Sequence, residues 1–171
     1  MSDENFDKAL KFTLKWEAGY VNDPNDKGGE TNKGITKAVY DKWRKDGRLT
    51  PQSVKQITDE EVRTIYYELY WEKAICTALD DAVAIAHFDC AVNTGVGQAI
   101  KILQRAVGAK EDGAFGPKTM DKVNNTRHLL SKIIQAREDF YLDLGKKKEY
   151  SPYLKGWLNR TNDLKSYLVA G

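Results

Sequence analysis

A glutamate and an aspartate, Glu17 and Asp26, are separated by eight residues in the most polar stretch of the chain, Trp16 to Thr36. Two carboxyl groups that face each other across a substrate are what hydrolysis of a glycosidic bond requires. One gives its proton to the leaving oxygen, and the other activates water or steadies positive charge on the sugar. Glu17 falls where the first helical pattern stops. A carboxyl in the last turn of a helix faces the negative end of the macrodipole, and flanking aromatics such as Trp16 and Tyr20 exclude water. Both features favour the proton-carrying form that general-acid cleavage needs. The same spacing also fits a solvated helix-end glutamate beside a loop of capping aspartates, so residue types alone leave both readings open.

Other chemistries find less support. The only histidines are His87 and His128, in different segments, and no paired C-x-x-C or H-x-x-x-H is present, which is too few ligands for a zinc site. His87 and Cys90 are three apart and would share a helix face, but the apolar residues around them predict a buried, inert cysteine. No phosphate-binding glycine loop, dinucleotide fingerprint or serine elbow occurs. No base-reading helix stands out, so nucleic acid is not an expected partner. Tyr20, Tyr40, Trp43, Tyr66, Tyr67, Tyr70, Trp71 and Trp157 could stack on sugar rings, although helical aromatics usually serve the core.

These side chains must be positioned by helices. Phe6, Leu10, Thr13, Leu14 and Glu17 fall at helical spacing, so a first helix is expected to end near Glu17, with Gly19 as its stop. Residues 18–35 read as a loop or a short irregular hairpin with Gly28-Gly29 at its turn. Thr36 is an expected N-cap, and Gly47 an expected stop, for the next helix. Thr58-Asp59-Glu60-Glu61 is a capping box. Asp80 or Asp81 opens a segment that is apolar all round from Val83 to Ala91, as a central buried helix would be. Further helices are expected at 96–107 up to Gly108, at 117–124 from Pro117, at 127–144, and after Ser151-Pro152. No period-two strand pattern is evident, and the fold class is mainly α.

A chain of 171 residues can bury one core, or two lobes sharing a central helix. Its 41% hydrophobic and 30% charged content excludes a disordered class, and no apolar run reaches the roughly 20 residues of a membrane span. Cys76 and Cys90 are expected as reduced, small hydrophobes. The net charge of +2 divides unevenly, −4 over residues 1–99 and +6 over 100–171, so the second half could lean on an anionic polymer. The N-terminal Met-Ser-Asp-Glu-Asn-Phe-Asp-Lys lacks the basic-then-apolar pattern of a signal peptide, and synthesis in the cytoplasm is expected.

Glu17-Ala18-Gly19-Tyr20, Asn22-Asp23-Pro24, Asp26, Gly28-Gly29, Thr31-Asn32 and Gly34-Ile35-Thr36 together resemble the signature of glycoside hydrolase family 108. That family comprises lysozyme-like N-acetylmuramidases of bacteria and phages, some named putative secretion activator proteins. Phe88 to Gly95, Leu103-Gln104 and Asp112 to Thr119 resemble the peptidoglycan-binding-type segment that follows in that family. The resemblance implies a two-lobed lysozyme-like fold with a cleft. It divides the chain into a catalytic lobe over 1–92 and a helical peptidoglycan-binding-type lobe over 93–171, packed as one unit. It implies hydrolysis of the bond between N-acetylmuramic acid and N-acetylglucosamine by a monomer, with peptidoglycan as partner and with no cofactor or metal. It places the catalytic acid at Glu17, with the loop residues Tyr20, Asn32 and Thr36, and Asn93, as sugar-binding groups. A looser likeness to phage lysozymes, which place an aspartate eight residues beyond the glutamate and then a threonine, adds Asp26 and Thr31 as the groups that polarise water. Asn32 stands where that phage spacing puts the threonine, so the identity of the second catalytic group stays open among Asp26, Thr31 and Asn32. The family usually shows two glycines after the glutamate; Ala18 replaces the first. An endolysin released by a separate holin-type pore, acting on the wall, would fit this reading. A non-catalytic wall-binding or secretion-regulating protein on the same fold is the alternative.

Overall fold

The computed structural model describes residues 3–17, 19–25 and 27–170. Its centre is α4 (Asp81–Thr94), in which every residue from Val83 to Ala91 is buried. A helix with no polar face must be surrounded, and α1 (Glu4–Trp16), α5 (Val96–Val107) and α7 (Leu129–Gly145) pack round it. Helix α8 (Leu154–Ala170) closes the bundle against α7 and α1. The main core draws side chains from Phe6 to Leu164, so the two halves of the sequence share it. Phe6 meets Tyr67, Trp71 and Phe88 edge to face at centroid distances of 5.0, 5.4 and 5.7 Å, the arrangement that ring quadrupoles favour.

Local signals set most helix ends. Asp3 caps α1 by accepting from the Phe6 N–H. Thr36 caps α2 (Lys37–Asp46) by accepting from Val39 N–H, and Gly47 ends it, both as the sequence predicts. Thr58 and Glu61 form the predicted reciprocal cap of α3 (Asp59–Tyr66), and α3 widens into a π-turn over Tyr67–Trp71. Gly108, in the left-handed region at φ 70°, ends α5 where expected. Helix α6 (Pro117–Asn124) begins on its proline. The loop between α5 and α6 is gathered by one buried side chain. Gln104 Nε2 lies 2.9 Å from Asp112, 3.0 Å from the Ala114 carbonyl and 3.1 Å from Thr119, while its carbonyl accepts from Gly113 N–H.

The hairpin differs from expectation in its turn. Strands β1 (Thr31–Asn32) and β2 (Ile35–Thr36) pair antiparallel, Thr31 opposite Thr36 and Asn32 opposite Ile35. Their connection is Lys33-Gly34, not Gly28-Gly29. Both turn residues have positive φ, 51° and 78°, which gives a two-residue connection the twist of the flanking strands. Gly28-Gly29 lies instead in the longer loop closed by the bridge between Val21 and Thr31.

Candidate active site

Glu17 is the residue on which α1 ends. Its N–H still bonds the Thr13 carbonyl at 3.1 Å, but its backbone is extended (φ −84°, ψ 127°), which turns the chain out of the helix. The aromatic hydroxyls that feel the Glu17 charge are those of Tyr66 and Tyr70. The Trp16 indole N–H turns away to Asp163 at 2.7 Å, and Tyr20 lies at the surface with its hydroxyl donating to Glu30 at 2.6 Å. Glu17 instead faces a cation, because Arg160 Nη1 on α8 lies 3.0 Å from its Oε1. On its other side is the hairpin turn. A Cβ added at Gly34 would come within 2.9 Å of Glu17 Oε2 and would overlap the Tyr66 hydroxyl, so the backbone approaches this closely only because residue 34 has no side chain. Tyr66 donates to the Lys33 carbonyl at 2.7 Å and so holds the turn in place. Burial, and then the nearby Glu17 charge, raise the Tyr66 pKa, which keeps it a neutral donor.

Behind Glu17 lies a buried network that the sequence reading did not anticipate. Asp89, fully buried on α4, accepts from Thr13 of α1 at 2.9 Å, from Arg137 of α7 at 2.8 Å, and from Arg160 of α8 at 2.7 Å. One carboxylate thus ties together four helices. Burial alone would raise its pKa, but the guanidiniums of Arg137 and Arg160 outweigh that and hold it below the usual aspartate value. Arg137 and Arg160 both bond Asp89, and Arg160 also reaches Glu17. Asp89 takes the Nε and Nη2 atoms of Arg160, so only Nη1 is left for Glu17. This fixes Glu17 Oε1 and leaves Oε2 on the hairpin side.

The other predicted site residues divide by what their side chains do. Asn93, near the end of α4, joins the network: the Tyr141 hydroxyl donates to its Oδ1, and Arg137 Nε donates to that hydroxyl at 2.9 Å. Asn32 is buried, and its amide donates to the Val54 and Lys55 carbonyls at 3.1 and 3.3 Å, anchoring the turn that follows α2. The Thr36 hydroxyl accepts in the cap of α2. Thr31 lies on β1, bridged to Val21 through both backbone bonds at 2.8 and 2.9 Å. Asp26 and Ala18 lie outside the described residues.

His87 and Cys90 do not form a nucleophilic pair. His87 Nε2 contacts the Ala74 carbonyl at 3.0 Å, and burial lowers the imidazole pKa to about 4. Burial raises the pKa of the Cys90 thiol, and Cys76 and Cys90 are both free and buried. Among the described residues no cluster of three or more metal-ligating side chains occurs, and no helix is long and apolar enough to cross a membrane.

Asp89, Arg137 and Arg160 were missed because their partners are 48 to 143 residues away. One signal was available: a charged residue in an otherwise apolar helix must find an opposite charge. Arg137, in the apolar row of α7 between Ile133 and Tyr141, gives the same signal from the other side.

A helical bundle with a small hairpin, and a glutamate at the end of its first helix, defines a lysozyme-like fold. Comparison with known proteins supports this class. The glycosyl hydrolase 108 model matches residues 10–95, and a predicted peptidoglycan domain matches residues 98–162. A solved structure of SagA from Brucella abortus is similar at a TM-score of 0.81 and 34% identity, covering 99% of this chain and 96% of that one. A search of curated proteins finds no match. The chain belongs to glycosyl hydrolase family 108, and its second half is a peptidoglycan-type domain.

Proposed function

We propose that the protein is an N-acetylmuramidase that cleaves the glycosidic bond between N-acetylmuramic acid and N-acetylglucosamine, with Glu17 as general acid. The observation that carries the reading is the setting of Glu17. One carboxylate oxygen is held by Arg160, and the other lies against a hairpin turn whose glycine leaves it room. In this reaction the proton travels from Oε2 to the glycosidic oxygen while the sugar gains oxocarbenium character. Arg160 fixes the direction of that transfer and stabilises the carboxylate left behind. Asp26 and Thr31 would orient the attacking water. Asn93 is positioned by Tyr141 with its amide NH2 left to meet an acetamido or hydroxyl group. The Asn32 and Thr36 side chains support the loop rather than touch sugar in this reading, because their polar atoms are taken up by backbone groups. An endolysin-type role on the bacterial wall, after release through a separate pore, fits the same reading.

One observation favours the non-catalytic alternative. The pair between Glu17 and Arg160 balances charge whether or not the protein turns over substrate. Mass analysis of fragments released from purified peptidoglycan separates the readings. New reducing ends on N-acetylmuramic acid are expected. Ends on N-acetylglucosamine would make it a glucosaminidase, and binding without release would make it a wall-binding module.

A further inference from the structure

The face of α8 that carries Arg160 does not stop at the site. Toward the C-terminus it is buried at Arg160, Thr161 and Leu164; toward the N-terminus it emerges at Trp157 and, just before the helix, at Tyr153. Three residues on a helix rise about 4.5 Å, so Trp157 stands one turn from the residue that grips Glu17. Tyr141 stacks on its ring at 5.3 Å and 22°, and Tyr153 at 6.0 Å and 27°. Tyr150 leans on the same ring at 6.5 Å and 39°. The core aromatics around Phe6 meet edge to face, whereas Tyr141 and Tyr153 lie nearly parallel to Trp157, and Tyr153 and Tyr150 are 58% and 37% exposed. At its inner end the stack reaches the site a second time, since Tyr141 also bonds Asn93.

We infer that Tyr150 and Tyr153, backed by Trp157, form a sugar-stacking subsite that holds the glycan strand of peptidoglycan beyond the bond positioned at Glu17. The inference rests on the muramidase reading for its choice of ligand. The flat face of an acetylated pyranose presents C–H groups to the electron-rich face of an aromatic ring, and the exposed rings of Tyr153 and Tyr150 at the outer end of the stack offer such faces. The neighbouring Lys147, Lys148 and Lys155 are exposed and cationic, which suits a polymer whose lactyl and stem-peptide groups carry carboxylates. The occupant is continuous with the site: a strand seated at Glu17 and running along α8 meets Trp157 and then Tyr153.

Binding tests this apart from catalysis. Co-sedimentation with purified sacculi is measured in a Glu17→Gln background, alone and with Tyr153→Ala or Tyr150→Ala plus Tyr153→Ala; soluble acetylated disaccharide oligomers serve as a second probe. Loss of each stacking ring is expected to raise the half-saturating concentration about tenfold, by analogy with base stacking on aromatic side chains. Tyr153→Phe is expected to restore binding, because the ring and not its hydroxyl does the stacking. Unchanged half-saturation in the double alanine variant overturns the proposal. So does a loss of self-association on gel filtration with sacculus binding intact, which would make the patch a contact between copies. Should the wild type fail to hydrolyse peptidoglycan while the alanine variants still lose binding, the muramidase reading falls and the subsite stands.

Discussion

The two walls that meet at Glu17 are built in opposite ways. The hairpin wall, residues 19–25 and 27–36, is mostly exposed, and its outer part is held by short-range bonds such as Val21 to Thr31 and Tyr20 to Glu30. Its turn is reached from farther along the chain, by Tyr66 and by the Asn32 bonds to Val54 and Lys55. The helical wall is buried and held by Asp89, Arg137 and Arg160, whose bonds span 48 to 143 residues. The side chains that could perform chemistry stand on or beside the pliant wall, and the charges that aim Glu17 stand on the rigid one. A loop can admit a polymer only if it yields, and a carboxyl can transfer a proton in one direction only if its orientation is fixed. In the proposed reaction this division of labour would meet both needs.

Substitutions should therefore act very differently on the two walls. The largest loss of stability is expected from Asp89→Ala, which leaves two buried guanidiniums with one partly exposed counter-charge. Removing one partner of a buried ion pair costs about 3–5 kcal/mol, to be read as a shift in denaturant midpoint. A change below about 1 kcal/mol would mean that water reaches the network and that the wall is not rigid.

Acid should also attack the helical wall. His87 is native-neutral with a pKa near 4, whereas an unfolded histidine titrates near 6.5. Between those values the unfolded chain binds a proton that the native chain does not. Stability is therefore complete above about pH 6.5 and falls by about 3 kcal/mol as pH drops to 4. Asp89, with its lowered pKa, adds a further loss only below the ordinary aspartate range, near pH 3.8. His87→Gln, which can keep the bond to Ala74, should flatten the upper window and leave the lower one. Urea titrations from about pH 2 to pH 7 measure both.

Where the walls touch, Gly34→Ala is expected to cost about 1–3 kcal/mol, from a positive φ and from the new Cβ against Tyr66 and Glu17. It should reduce hydrolysis by more than its stability change accounts for, since it displaces Oε2. On the outer hairpin, Tyr20→Phe removes one exposed bond to Glu30 and should stay within about 0.5 kcal/mol of wild type. A larger effect would show that the loop is more tightly organised than its bonds suggest.

The helices were legible in the sequence because their signals are local: a capping box at Thr58, caps at Thr36 and Pro117, glycine stops at 47 and 108. The hairpin turn was misplaced because Gly28-Gly29 is the stronger written turn signal, while Lys33 adopts its left-handed conformation under the hold of Tyr66 on its carbonyl. Glu17 was legible as a candidate from its place at a helix end. Its counter-ion was not, since nothing near Arg160 in the chain points 143 residues back. Aromatic neighbours in sequence suggested a dry pocket; in the folded chain the Trp16 N–H bonds Asp163, the Tyr20 hydroxyl bonds Glu30, and Arg160 supplies a guanidinium.

The central claim is that Glu17 supplies the proton and that the walls exist to aim it. Release of reducing ends from purified peptidoglycan by Glu17→Gln, in protein whose near-ultraviolet circular dichroism matches wild type, tests it directly. The account predicts a loss of about 10³-fold, the scale of a missing general acid. Release within tenfold of wild type would contradict it and move the chemistry to another residue.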